Sequence, residues 1–254
     1  MKAIDKLFKE KKDILSIYFT AGYPTLESTQ EIIKTLEKNR TDLIEVGLPY
    51  SDPIADGPVI QKSSQKALEN SMCISLLFSQ LKAIKKEIHV PLILMGYYNQ
   101  FLRFGEEAFL KKCKEVGLSG IILADLPAEI YQDKYRGLFE KYELAFIFLV
   151  TPKSSDARIL KLSKLSKVFL YVISSTATTG VKDRFEKEQL DFFKRIQKLN
   201  LKIPTLIGFG ISNRDSFSMA CQYAQGGIIG SAFINALNEK DIKGSVQNFI
   251  ESIV

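Results

Sequence analysis

The stretch IEVGLPYSDPIADGPVIQ, from Ile44 to Gln61, holds three carboxylates and three prolines but no Lys, Arg or His. Glu45 falls inside the apolar run DLIEVGL. Burying a carboxylate there costs several kcal/mol unless it is paired or protonated, so its placement points to proton transfer. Asp56 follows on a loop stiffened by Pro53 and Pro58. Two carboxylates in unlike surroundings can divide acid and base duties, one shifted by an apolar pocket and one kept ionised. Asp52 reads as a turn former or a partner contact. Asp125, at the end of GIILADL, suits capping or holding a neighbouring loop as well as it suits chemistry.

These groups need a frame, and the apolar runs supply one. ILSIYFTAG, DLIEVGL, PLILMGY, GIILADL, AFIFLVT, VFLYVIS, PTLIGFG and GGIIGSA are continuous rather than alternating, as parallel strands buried on both faces must be. Between them lie amphipathic stretches such as STQEIIKTLEKN and EQLDFFKRIQKLN. Asn39, Gly117 and Asn200 stand where such helices should stop, in keeping with their tolerance of left-handed backbone. Eight strands alternating with helices over 254 residues predict a single (β/α)8 TIM barrel spanning 1–254, with an extra amphipathic helix, MKAIDKLFKEKK, in front. A doubly wound open sheet is the alternative, but no GxGxxG follows the first strand.

A barrel places its chemistry at the C-terminal ends of its strands and in the loops beyond them. Glu45, Asp56, Asp125 and Gly210 all belong to that rim, and Tyr171 lies within the sixth strand. Three late glycine turns, TATTGVK, IGFGISN and IIGSAF, follow the sixth, seventh and eighth strands. Backbone N–H groups at such turns, with a helix start at Ser231, suit a phosphate. No Walker lysine is present, so a small phosphorylated metabolite is expected rather than a nucleotide.

The net charge of +6 comes from 35 basic residues interspersed with 29 acidic ones, which argues for solvated helix faces and against a nucleic-acid platform. Cys73, Cys113 and Cys221 each sit in a helical pattern and read as reduced core thiols, which together with the lack of a signal core predicts a cytoplasmic chain. The only histidine, His89, precedes the third strand and reads as structural. No metal site is expected.

With these residues assembled, the sequence closely resembles the tryptophan synthase alpha subunit family. FTAGYP, IEVGLPYSDPIADGPVIQ, LMGYYN, GIILADLP, SSTATTG, GFGIS and GSA carry the resemblance in family order over nearly the whole chain. It implies a carbon–carbon lyase that splits indole-3-glycerol phosphate into indole and glyceraldehyde 3-phosphate by a retro-aldol reaction. Glu45 matches the catalytic glutamate, Asp56 the carboxylate that accepts the indole N–H, and Tyr171 a tyrosine near the reacting centre. Gly180, Gly210, Gly230 and Ser231 match phosphate positions, while Tyr18, Phe209 and Ile228 would line the indole pocket. The family also implies a beta subunit bearing pyridoxal phosphate, in an αββα tetramer, with no cofactor in this chain. Pro53, Tyr98 and Asn99 fall in the matching contact segments, Phe101 beside them is a further candidate anchor, and Thr179 would sit on a closing loop. Tyr50 departs from the usual Phe, and SSTATTG from a form closer to SRxGVTG. A phosphate-binding isomerase barrel is a rival reading. So is a protein that mainly activates the beta subunit.

Overall fold

The described residues form one curled sheet of nine parallel strands, ringed by helices. The computed structural model describes residues 2–174 and 185–254. The motif position Thr179 and the phosphate position Gly180 therefore lie outside the described residues. In chain order the strands are β1 (Ile14–Thr20), β2 (Leu43–Gly47), β3 (Leu92–Gly96), β4 (Gly120–Leu123), β5 (Ala145–Phe146), β6 (Leu149–Val150), β7 (Leu170–Ile173), β8 (Thr205–Gly208) and β9 (Gly226–Ile229).

Eight runs become nine strands because AFIFLV divides. Its first half, β5, pairs with β4, and its second, β6, pairs with β7. The bonds continue through the two residues between: Ile147 N–H donates to Ile121 O and Tyr171 N–H to Phe148 O, at 3.1 and 2.9 Å. Since β5 and β6 are also the two ends of the sheet order, this run is the seam that closes the barrel. The Ser166 hydroxyl sits at the seam, donating to Phe169 O on one side while lying 3.4 Å from both Phe146 O and Phe148 N on the other.

The side chains of the strands alternate between two cores. Leu15, Ile17, Phe19, Ile44, Val46, Ile121, Leu170 and Val172 pack outward against the helices. Ile14, Tyr18, Leu43, Ile93, Ile122, Tyr171, Leu206 and Ile228 fill the barrel itself. The first helix, α1 (Lys2–Glu10), closes the N-terminal mouth: Ile4 and Phe8 join the inner cluster, and Phe8 stacks on Phe169 at 5.2 Å. The expected N-terminal helix is thus present and acts as a plug.

The helix stops are partly as expected. Gly117 (φ 88°) and Asn200 (φ 45°) are left-handed, but Asn39 is not, and the turn there is taken by Arg40 at φ 48°. The cysteines also need correction: only Cys113 is buried, while Cys221 is half-buried and Cys73 exposed just ahead of α4 (Ile74–Ile84). All three are free thiols. His89 lies on the surface against Glu37, whose carboxylate accepts its backbone N–H at 3.1 Å. Among the described residues no helix is long and apolar enough to cross a membrane.

Candidate active site

Strand register sets the centre of the site. Tyr18 of β1, Glu45 of β2 and Ile93 of β3 lie level with one another inside the barrel. Glu45 is wholly buried. Its Oε1 accepts a hydrogen bond from Ser16 Oγ at 2.9 Å, and its Oε2 has no partner among the described residues. Burial pushes the Glu45 carboxyl up to about 8, with Ser16 pulling against the rise. Glu45 is thus protonated near neutrality, an acid with one oxygen held and one free.

Asp56 is held differently. It sits on the loop between β2 and α3 (Pro58–Glu69), and the residue is 6% exposed. Tyr97 Oη donates to Asp56 Oδ2 at 2.8 Å and accepts from Ala55 N–H at 3.1 Å. Asp56 N–H bonds Pro53 O at 3.0 Å, and Gln61 Nε2 bonds Asp56 O at 2.8 Å. Burial raises the Asp56 carboxyl to about 6, the Tyr97 bond limiting the rise. The two carboxyls therefore differ in charge: between those values one is protonated and the other ionised.

Two phenols complete the centre. Tyr18 and Tyr171 are each almost fully buried, and burial is the main reason both stay protonated far above the usual range. After burial, Tyr18 feels chiefly the charge of Asp56 and Tyr171 chiefly that of Glu45, so each carboxyl has a neighbouring hydroxyl. Both rings need a neighbour without a side chain. A Cβ at Gly47 would lie 2.2 Å from the Tyr18 hydroxyl, and one at Gly208 would lie 2.4 Å from that of Tyr171.

Ile228, from β9, joins the same inner cluster, and Phe209 packs against it. Phe209 and Gly210 are both left-handed, at φ 69° and 83°. Ser174 Oγ donates to Phe209 O at 2.6 Å and accepts from Gln189 Nε2 at 2.9 Å, which fixes this turn. Gly230 and Ser231 open the short helix α12 (Ser231–Ala236) after the adjacent strand, so the turns after β8 and β9 are neighbours. Glu45, Asp56, Tyr171, Tyr18 and Ile228 are brought together at the strand ends, with Gly210, Gly230 and Ser231 on the next two loops.

The contact residues are more mixed. Pro53 is half-buried beside Ile54, which is 83% exposed. Asn99 is exposed and donates to Tyr50 Oη at 3.2 Å, and the Tyr50 ring stacks on Tyr97 at 4.9 Å. Tyr98 is half-buried, its hydroxyl 2.8 Å from that of Tyr135. Phe101 is wholly buried, with Phe109 and Tyr135 edge-on to it. It is a packing residue and no interface anchor. Asp125 accepts the backbone N–H of Tyr98 at 2.6 Å, so it positions a neighbouring loop.

Sequence reasoning passed over Ser16, Tyr97, Gln100 and Gln189. Ser16 had a signal, being a polar residue two places before Tyr18 and so on the same inner face of β1. Tyr97 had only its place in LMGYYN, because a bond to a loop from another strand leaves no local trace.

The comparisons with known proteins agree with this geometry. The family model for the tryptophan synthase alpha chain matches residues 4–253. The tryptophan synthase alpha chain of Flavobacterium johnsoniae is 51% identical over 253 residues, covering 100% of both chains. Among solved structures, the tryptophan synthase A-subunit of Pyrococcus furiosus superposes with a TM-score of 0.88 at 28% identity, covering 96% of this chain and 98% of that one. A chain of Mycobacterium tuberculosis tryptophan synthase gives 0.86 at 28% identity, covering 99% and 96%. With the match running from end to end of the barrel and through every described motif, the chain belongs to the tryptophan synthase alpha chain family.

Proposed function

We propose that Glu45 and Asp56 divide the proton and charge work of the family's reaction. That reaction is carbon–carbon lysis of indole-3-glycerol phosphate to indole and glyceraldehyde 3-phosphate in tryptophan biosynthesis. Protonated Glu45 delivers its proton to indole C3 while ionised Asp56 accepts the ring N–H and stabilises the transient indoleninium. The carboxylate left on Glu45 then takes the proton of the glycerol hydroxyl next to the breaking bond. The bond's electron pair returns to the ring, the hydroxyl carbon becomes the aldehyde, and Glu45 ends protonated as it began.

Tyr171 supports this centre by offering a protonated hydroxyl beside Glu45. Tyr18, Phe209 and Ile228 enclose the indole, and the turns at Gly210, Gly230 and Ser231, together with Gly180, take the phosphate. The first turn of α12 leaves N–H groups without intrahelical acceptors, which suits an anion. The observation that carries the proposal is the fully buried Glu45 carboxyl, with one oxygen unpartnered among the described residues and its ionisation pushed to about 8.

The chain would act as one domain over 1–254, in the cytoplasm, against a tryptophan synthase beta subunit in an αββα tetramer. Pyridoxal phosphate would belong to that partner, with none in this chain. Pro53, Tyr98 and Asn99 would contribute to the contact, and Thr179 would respond to bound ligand. The loop bearing Asp56 and the exposed Ile54 and Asn99 support that face.

Purified protein incubated with indole-3-glycerol phosphate should release indole slowly alone and much faster with a beta subunit. Glu45→Gln should abolish release, and Asp56→Asn should lower it by orders of magnitude with the fold intact by circular dichroism. Near wild-type release by Glu45→Gln would overturn the assignment.

A further inference from the structure

Ser16 holds the Glu45 carboxyl by a hydrogen bond, and the proposed chemistry leaves it without a task. Both residues are completely buried, on neighbouring strands, and Ser16 Oγ donates to Oε1 at 2.9 Å. A hydroxyl on the inner face of a barrel is costly unless bonded, and the strand around it, ILSIYFT, is otherwise apolar up to Tyr18. Alanine or valine would fill the place more simply if packing were the only demand.

We propose that Ser16 is a positioning residue for Glu45. By donating to Oε1 it makes that oxygen the acceptor, so that the transferable proton resides on Oε2, the oxygen that no group among the described residues engages. The inference rests on the reading of Glu45 as the acid. Its chemical content is selection between two otherwise equivalent oxygens. A carboxyl whose two oxygens were both free would turn about its last bond, and the proton would point at C3 only part of the time. With Oε1 tethered, the orientation is set before substrate arrives. The hydroxyl also favours the carboxylate formed once the proton has gone, which is the species that must next act as base.

Two kinds of measurement test this on the full-length chain. In steady-state indole release, Ser16→Ala should lower kcat about tenfold with little change in KM, the signature of an interaction made in the transition state. It should also move the alkaline limb of the rate profile upward by about one pH unit, because the anion has lost its donor. Ser16→Thr, which keeps a hydroxyl, should restore the limb.

Infrared difference titration of the protonated carboxyl band, assigned by its loss in Glu45→Gln, reads the same shift without turnover. An unchanged alkaline limb and band midpoint in Ser16→Ala would overturn the role of Ser16 while leaving the acid assignment intact. A wild-type protein that releases no indole would instead sink the proposed function itself.

Discussion

At the scale of single residues, the two acids differ because their surroundings differ. The Glu45 carboxyl accepts from the Ser16 hydroxyl inside the barrel, and Asp56 accepts from the Tyr97 phenol on the loop beyond it. In the proposed mechanism the active species carries Glu45 protonated and Asp56 ionised, so kcat/KM should rise as pH passes about 6 and fall as it passes about 8. A pH profile of indole release checks both limbs, and a flat profile between pH 5 and 9 would contradict the division of roles (limits on the order of a unit beyond each value). The same burial has a thermodynamic sign. The unfolded chain ionises Glu45 near the ordinary value of 4.5, while the folded chain keeps the proton to about 8. Across that window the folded state binds more protons, so Glu45 makes the fold less stable as pH rises. Urea unfolding should show Glu45→Gln gaining on wild type from pH 5 to pH 8, a window of about three units, with little further change at more acid pH. Glu45 was legible because a charge in an apolar strand is conspicuous. Ser16 was hidden by being small and ordinary, although its spacing from Tyr18 placed it on the right face.

At the scale of elements, the loop after β2 is held by the turn after β3. Tyr97 grips Asp56 and Ala55, its ring lies on Tyr50, and its own N–H is capped by Gln100 Oε1 at 3.0 Å. Gln100 Nε2 reaches back to Pro49 O at 3.0 Å, and Asn99 to the Tyr50 hydroxyl. The hydroxyl that distinguishes Tyr50 from the family's usual Phe thus joins the loop to α5 (Tyr98–Phe104). Tyr97→Phe removes the donor that favours ionised Asp56. The acid limb of the profile should therefore move up by about one pH unit, with the alkaline limb unmoved. A shift of both limbs together, or of neither, would show that Tyr97 does not act through Asp56. None of this bracing could be read from sequence, since prolines announce a stiff loop but not what it leans on. The positions of the strands, by contrast, were legible, because parallel strands buried on two sides leave uninterrupted apolar runs.

At the scale of the whole molecule, the plug and the seam matter most. The N-terminal helix was legible as amphipathic, but its partner was not: Phe8 stacks on Phe169 beneath the barrel, far along the chain. Phe8→Ala should cost about 3 kcal/mol of unfolding free energy by urea titration. A loss within about 0.5 kcal/mol, the range of ordinary surface changes, would show that the helix does not seal the mouth. The division of AFIFLV was illegible for a different reason. Every residue in it is apolar, and which neighbour each bonds is a property of closure that composition does not record. A ring of strands has no edge, whereas a ribbon has two, each a row of free N–H and C=O groups able to recruit the edge of another molecule. The six residues from Ala145 to Val150 are what make this sheet a ring. The Ser166 hydroxyl, which reaches Phe169 O, lies 3.4 Å from both Phe146 O and Phe148 N of that run. Were the seam to part, the molecule would become its own template for association.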